Sequence, residues 1–305
     1  MTTFQTTLPN GVFAASVTPL KKDFSIDLDA LVKHCNWLLA NGNNGICFMG
    51  TTGEANSFSV TERINALDHL INEGIPADRL LVGTGCCSLT DTIQLTKHAV
   101  SKKVGGVLML PPFYYKGVTD GGLLLYFSMV IEEVANPDLR IYLYHFPKMT
   151  GVPFSVSFVQ QIVNKYPGTV VGMKDSGGEW NNMKAILEAL PGFNLYSGTE
   201  KYFLDVLRAG GAGVISATTN LTGPMAALVY AHRNTKQADE LQARLTEART
   251  AFEGASFVSS VKQMLAAYHK NDNWLNIRPP NSNLLQSQLS ELESKLKSID
   301  FNITG

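Results

Sequence analysis

A lysine at the end of an apolar segment is the first residue whose position suggests chemistry. Lys174 closes the run TVVGMK (169–174), whose composition is typical of a buried strand. Withdrawal from water disfavours the ammonium form and leaves an amine that can attack a carbonyl and form a Schiff base. The alternative is a lysine that extends to the surface or pairs with the neighbouring Asp175.

Tyr144 lies near the end of a second apolar run, IYLYHF (141–146). A phenol at a strand end can carry protons to and from a substrate oxygen. The alternative is an aromatic core residue with a hydrogen-bonded hydroxyl. Because successive side chains of a strand alternate between its faces, we expect the next residue, His145, to face away from Tyr144.

The segment Gly50-Thr51-Thr52-Gly53-Glu54 follows another apolar run. Its two glycines allow backbone N–H groups to point at an anion, and its two hydroxyls add donors. It lacks the lysine of a nucleotide-binding P-loop, which favours a carboxylate over a triphosphate as the bound anion. The alternative is an ordinary turn.

Aromatic residues follow a fourth apolar run, in the segment Pro111-Pro112-Phe113-Tyr114-Tyr115. Exposed aromatic side chains on a rigid turn are typical of an interface or a lid. The alternative is a loop that folds back on its own domain.

Two other kinds of catalytic site are not indicated by the sequence. The six histidines show no metal-binding spacing, and the sequence contains no GxSxG nucleophile elbow.

Eight β-rich segments, each followed by a stretch with helical spacing, must position these residues. The segments are GVFAASVTPL (11–20), GICFMG (45–50), RLLVGTG (79–85), GGVLMLPP (105–112), RIYLYHFP (140–147), TVVGMKDS (169–176), NLYSGT (194–199) and GVISATTN (213–220). Eight such units at intervals of roughly 20 to 35 residues predict an α/β fold, the (β/α)8 TIM barrel, with its active site at the C-terminal ends of the strands. The competing doubly wound sheet lacks its glycine-rich fingerprint after the first strand.

The remainder of the chain is predicted to be helical. Helices are expected at 223–250, 254–270 and 282–299, with a Pro-Pro turn before the last. We therefore predict a catalytic barrel over residues 1–224 and a C-terminal helical extension, residues 225–305, packed on it.

Composition limits the function classes. The 305 residues are 45% hydrophobic and 17% charged, with 25 Lys and Arg against 26 Asp and Glu. This near balance argues against nucleic acid or an anionic membrane as a partner. No apolar run approaches the roughly 20 residues that span a bilayer. With four cysteines and no secretory signal at the start, we expect a soluble cytoplasmic protein.

In combination, the motifs resemble those of the dihydrodipicolinate synthase / N-acetylneuraminate lyase family of class I, pyruvate-dependent aldolases. The resemblance is carried by GTTGE at 50–54, by Tyr144-His145-Phe146-Pro147 followed by Thr150-Gly151, and by GMKD at 172–175. It extends from about Gly11 to Asn220 and includes GVISATTN at 213–220.

The resemblance implies specific roles. Lys174 would form the Schiff base with pyruvate or a longer 2-oxo acid, and Tyr144 would shuttle protons with Thr51 as its relay. A tyrosine from a neighbouring subunit, Tyr114 or alternatively Tyr115, would complete that relay. The implied assembly is a homo-oligomer, usually a tetramer formed as a dimer of dimers.

The same resemblance implies the residues that bind substrate. Thr52 would hold the carboxylate together with Thr51, and further substrate contacts would come from Gly50, Ile215 and Tyr115. Neither a metal nor an organic cofactor is implied, because the covalent lysine adduct takes the role of a cofactor.

Departures from the family pattern concern the second substrate. Dihydrodipicolinate synthases carry an arginine where this chain has Met149, which cannot pair with a carboxylate. His145 replaces a common asparagine, and Lys148 is a possible substitute cation. The polar sugar-binding residues of the sialic-acid lyases are not obviously reproduced in the corresponding area, which holds Thr199, Glu200, Ala217 and Thr218.

We therefore expect a carbon–carbon lyase, or a dehydratase using the same imine, that acts on a 2-oxo-3-deoxy sugar acid or a 4-hydroxy-2-oxo acid. One alternative is 4-hydroxy-tetrahydrodipicolinate synthase of lysine biosynthesis. Another is a barrel that binds an oxo acid without turnover. A third is a metal-dependent lyase that uses His145.

Overall fold

Eight parallel strands close into a barrel in the computed structural model, which describes residues 4–303. Each strand pairs with the next in the chain, and the last returns to the first with Gly213 opposite Gly11. The predicted (β/α)8 fold is confirmed. The strands are β1 (Gly11–Ala15), β2 (Gly45–Phe48), β3 (Leu80–Gly83), β4 (Gly106–Met109), β5 (Ile141–His145), β6 (Val170–Asp175), β7 (Asn194–Ser197) and β8 (Gly213–Ser216).

Helices separate all consecutive strands and form the outer layer. Over residues 4–303 the α-helices are α1 (Leu28–Ala40), α2 (Val60–Asn72), α3 (Leu89–Ser101), α4 (Asp120–Val134), α5 (Pro147–Thr150), α6 (Val156–Lys165), α7 (Trp180–Ala189), α8 (Phe203–Arg208), α9 (Thr219–His232), α10 (Ala238–Ala251), α11 (Phe257–His269) and α12 (Gln286–Ser298). None of these helices has both the length and the apolar character that crossing a membrane requires.

The barrel interior is filled with side chains rather than open. Alternate residues of each strand point inward, and those of Phe13, Tyr142 and Tyr196 belong to one buried cluster on the barrel axis. Gly106 and Gly172 flank the Tyr142 ring so closely that a Cβ at either position would collide with it. The Tyr142 hydroxyl donates to Thr6 Oγ1 at 2.9 Å, which closes the N-terminal end of the barrel.

The C-terminal part consists of helices, but its first predicted helix is divided in two. The prediction of one helix over 223–250 is wrong, because α9 ends at His232 and α10 begins at Ala238. Thr235 makes the break: its N–H donates to the His232 carbonyl, and its hydroxyl accepts from the N–H of Gln237.

The predicted boundary between barrel and extension, at residues 224 and 225, falls within α9, which packs against β1 and β8. The division into a catalytic barrel and a helical extension stays a prediction. The outer ends of these two units, residues 1–3 and 304–305, lie outside the described residues.

Candidate active site

Two candidate residues, Lys174 and Tyr144, lie side by side in the barrel wall. They are register partners on β6 and β5, so the parallel pairing places both near the C-terminal ends of their strands. Lys174 is 4% exposed and Tyr144 3% exposed. The Lys174 Nζ lies 4.6 Å from the centroid of the Tyr144 ring. The amine and the phenol are therefore neighbours in a site largely closed to water.

Thr51 joins this pair from the loop that follows β2. Its Oγ1 lies 3.3 Å from the Tyr144 hydroxyl, within hydrogen-bond distance. Gly50 lines the same small cavity as Thr51 and Tyr144, a space of about 20 Å³ that can hold about one water molecule. The structure thus brings together three of the four predicted catalytic residues.

The surroundings of Lys174 lack an anion. Within residues 4–303, no carboxylate oxygen lies within 4 Å of its Nζ. The neighbouring Asp175 faces the other side of β6, where its carboxylate accepts from the Gly177 N–H at 2.8 Å and from the Asn182 amide at 2.7 Å. The alternative in which Lys174 pairs with Asp175 is therefore contradicted.

His145 faces away from Tyr144, as the strand alternation predicts. Its Nδ1 accepts from the Phe154 N–H at 3.1 Å, so a neutral ring carries its proton on Nε2. Burial lowers the pKa of His145, and the nearby Asp175 carboxylate opposes that shift. For the Asp175 carboxyl, burial has the opposite effect and raises the pKa, and the charge of His145 opposes that rise. Among the described residues, no group of three or more histidine, cysteine or acidic side chains is arranged to hold a metal ion.

The remaining predicted binding residues divide into two sets. Thr52 is buried in the loop beside Thr51, and Ile215 is fully buried on β8 in the same interior cluster as Tyr144. Tyr114 and Tyr115 are not brought to the site within the single chain. Both are 74% exposed in the loop before α4, with their rings packed edge to face at 5.3 Å.

Two features at this end of the barrel lie outside the sequence predictions. Thr84, at the end of β3, is fully buried, lines the same small cavity and has no hydrogen-bond partner for its hydroxyl in the described part of the chain. In the sequence, Thr84 is recognisable as a polar residue that directly follows an apolar strand, and a polar residue near a strand end is also what identified Tyr144.

Glu54 is buried against Lys262 of α11, with 2.5 Å between Oε1 and Nζ. No local pattern indicates that contact, because 208 residues separate the two.

The area after β7 and β8 is structural rather than open to a ligand. Glu200 is fully buried and accepts hydrogen bonds from the hydroxyls of Ser216, Thr218 and Thr222. The Arg249 guanidinium lies 3.2 Å from its carboxylate. Glu200 and Thr218 therefore hold α9 and α10 against the barrel. These two polar residues, in the area where the sialic-acid lyases bind sugar, are committed to protein contacts.

A larger cavity, of about 380 Å³, lies at the opposite end of the barrel, where Asn44 and Arg79 precede β2 and β3. Its lining contains none of the residues discussed above. We place the candidate site at the Lys174 end on chemical grounds, because catalytic groups of such barrels lie at the C-terminal ends of the strands.

Comparisons with known proteins point to one family. The model of the dihydrodipicolinate synthetase family matches residues 8–299. A DapA-like lyase of Chloroflexus aurantiacus is 32% identical over 243 residues, which cover 79% of this chain and 81% of that protein. The 4-hydroxy-tetrahydrodipicolinate synthase of Saccharophagus degradans is 32% identical over 260 residues, with coverage of 84% and 87%.

A solved structure gives the same result. The chloride-inhibited dihydrodipicolinate synthase of Acinetobacter baumannii, complexed with pyruvate, superposes with a TM-score of 0.86 at 30% identity. The superposition covers 96% of this chain and 99% of that one.

Proposed function

Because the chain belongs to the dihydrodipicolinate synthetase family, whose members are lyases and aldolases, we propose that it makes or breaks a carbon–carbon bond through a Schiff base on Lys174. The proposed substrate is pyruvate or a longer 2-oxo acid. The observation that carries the proposal is a buried amine without a carboxylate partner, set beside a phenol that itself contacts a threonine hydroxyl.

The first chemical step is attack of the Lys174 Nζ on the C2 carbonyl of the oxo acid. The nucleophile in this attack is the unprotonated amine. Tyr144 delivers a proton to the carbinolamine oxygen, which leaves as water, and Thr51 relays protons to Tyr144. The resulting iminium accepts the electron pair when the C3–C4 bond breaks, or forms the enamine that attacks an aldehyde.

The loop after β2 supplies the proposed carboxylate site. In the described structure, the backbone N–H groups of Thr51 and Thr52 donate to no protein acceptor, although the next turn of the loop is closed by Glu54 N–H to Thr51 carbonyl at 3.1 Å. Free amides at the barrel mouth are suitable donors for an anion. Gly50 and Ile215 would shape the wall around the pyruvyl group.

The assembly is part of the proposal. Tyr114 projects from the barrel and is too exposed to serve its own site, so we assign it to the relay of a neighbouring subunit, with Tyr115 as a binding residue beside it. A homo-oligomer, arranged as a dimer of dimers, would then be the active form.

The second substrate is expected to lack a carboxylate at its distal end. Met149 is 64% exposed at the position where the related synthases carry an arginine, and it offers no charge to an anion. An aldehyde without a distal carboxylate is released when a 2-oxo-3-deoxy sugar acid or a 4-hydroxy-2-oxo acid is cleaved. Met149 therefore favours these oxo acids as substrates over the substrate of 4-hydroxy-tetrahydrodipicolinate synthase.

Borohydride trapping tests the proposal. Pyruvate plus sodium borohydride should add one reduced pyruvyl group to the intact protein, and peptide mapping should locate it on Lys174. The Lys174→Ala variant should take up none, whereas Lys148→Ala, a nearby exposed lysine, should be labelled like the parent protein. An unmodified parent mass would overturn the Schiff base. Thermal stabilisation by oxo acids without an adduct would instead indicate a binding protein.

A further inference from the structure

The loop between β3 and α3 carries two adjacent cysteines at the same end of the barrel as Lys174. Its first residues, Thr84 and Gly85, line the small cavity beside Tyr144. Cys86 is half-buried and Cys87 is exposed.

The backbone of Cys86 is fixed on both sides. Its N–H donates to Thr92 Oγ1 at 3.0 Å, and its carbonyl accepts from the Tyr126 hydroxyl at 3.1 Å. The direction of the Cys86 side chain is therefore set by the fold.

A buried arginine points at the Cys86 sulfur. Arg63 of α2 is 5% exposed, and its Nη1 donates to Cys86 Sγ at 3.2 Å, while Nη2 donates to the Gly83 carbonyl at 2.9 Å. Its Nε has no hydrogen-bond partner in the part of the chain that the structure describes. Nowhere in residues 4–303 does a carboxylate oxygen come within 4 Å of this guanidinium.

A buried cation without a counter-ion is costly. The acidic group in contact with this one is the Cys86 thiol. A guanidinium at this position stabilises the negative charge that the sulfur carries when it attacks an electrophile.

The other cysteines lack this combination of contact and access. Cys35 and Cys47 are fully buried, and burial raises the pKa of Cys35 to about 12 and raises that of Cys47 as well. Cys87 is accessible, but within the described structure no arginine or lysine donates to its sulfur.

We propose that Cys86 is a modification site, whose sulfur reacts as a thiolate with peroxides and with soft carbon electrophiles while the Arg63 guanidinium beside it stabilises the charge. With hydrogen peroxide, the sulfur attacks one oxygen, an S–O bond forms and the O–O bond breaks. The sulfur is oxidised to a sulfenic acid, and the departing hydroxide takes a proton from solvent and leaves as water. The proposal does not depend on the function assigned to Lys174.

Competitive labelling of the assembled full-length protein tests it. A short pulse of iodoacetamide, followed by residue-resolved mass spectrometry, should alkylate Cys86 at least about tenfold faster than Cys87, although Cys87 is the more exposed. After a peroxide pulse, a 1,3-dione probe for sulfenic acids should add to Cys86. Equal rates at the two cysteines, faster labelling of Cys87, or no dione adduct on Cys86 would overturn the proposal.

Removal of the cation isolates its cause. Arg63→Gln should lower the Cys86 rate to about that of Cys87 and leave Cys87 unchanged. Arg79→Gln, an exposed arginine at the opposite end of the barrel, should alter neither rate. An unchanged Cys86 rate in folded Arg63→Gln would contradict the role of Arg63. If that variant does not fold, the ratio of the Cys86 and Cys87 labelling rates in the parent protein still tests whether Cys86 is the reactive cysteine.

Discussion

Two lysines are buried in the described part of this molecule, and their surroundings are opposite. Lys174, in the barrel wall, lies over the Tyr144 ring with no carboxylate within 4 Å among residues 4–303. Lys262, on α11, is fully buried with its Nζ 2.5 Å from Glu54 Oε1 and 2.9 Å from the Asn276 carbonyl.

The difference shows that burial alone does not identify a reactive lysine. Burial lowers the pKa of Lys262, but the Glu54 carboxylate opposes that shift and holds the charge in place. A buried cation with its counter-ion is a structural element. Lys174 has no such counter-ion among residues 4–303, so its Nζ is not held by a carboxylate and is available to a substrate.

Replacement of Lys174 by methionine gives the largest expected effect. Turnover of any 2-oxo acid substrate should fall by at least about 10⁴-fold, because the covalent nucleophile is lost. Stability against urea should be equal or higher, since a methionine of similar length needs no charge compensation. A variant that retains activity, or that loses much stability, would contradict our interpretation of Lys174.

Tyr144→Phe should have the next largest effect. The ring over Lys174 is kept and only the hydroxyl is lost, so kcat should fall by about 10² to 10⁴ while KM changes little. Steady-state kinetics measures both. Tyr142→Phe is the matched control on the same strand, since its hydroxyl contacts Thr6 at the other end of the barrel. Equal losses in both variants would indicate a structural effect.

Lys262→Met should reverse the pattern seen at Lys174, with loss of stability as its main effect. The substitution leaves the buried Glu54 carboxylate without its cation, with the backbone N–H of Arg278 still donating to it. We expect the free energy of unfolding in urea to fall by about 3 to 5 kcal/mol. The double variant with Glu54→Gln should recover most of that loss, because no buried charge remains. If the single variant were as stable as the parent protein, the two lysines would not differ as we describe.

The barrel and the residues at its strand ends can be predicted from the sequence alone. The strands are apolar on both faces because helices cover them, and that pattern is visible in short segments. Once the barrel is predicted, the rule on strand ends selects Lys174, Tyr144 and Thr51 without coordinates.

Contacts between distant segments could not be predicted in this way. Glu54 is part of the GTTGE motif, yet nothing local indicates that it pairs with Lys262. The partners of Glu200 come from β8, from the residue before α9, from α9 and from α10. The break between α9 and α10 was missed because a Thr235 turn competes with a sequence that otherwise favours helix. Tyr114 acts, as proposed, on another copy of the chain, so one chain cannot place it.

A partly exposed ion pair between the barrel and the C-terminal part gives the smallest expected effect. Glu62 of α2 accepts from the Ser59 N–H at 2.8 Å, which caps the helix, and it pairs with Arg278. The hydrogen bond from Arg278 is the main reason that the pKa of Glu62 is lowered from 4.5 to about 2. Because the pair is partly exposed, we expect Glu62→Gln to cost only about 1 kcal/mol at neutral pH.

The pH dependence distinguishes this exposed pair from the buried one. The folded pKa of Glu62 lies below its unfolded value, so the carboxylate contributes fully above pH 4.5, and its contribution is lost as the pH falls from 4.5 towards 2. The gap in unfolding free energy between the parent protein and Glu62→Gln should therefore narrow between pH 6 and pH 3.5 (roughly the window set by that shift). Urea titrations at each pH measure the gap, and a gap that widens in acid would rule out Arg278 as the cause. The cost of Lys262→Met should greatly exceed that gap at neutral pH, since solvent screens the Glu62 pair and not the buried one.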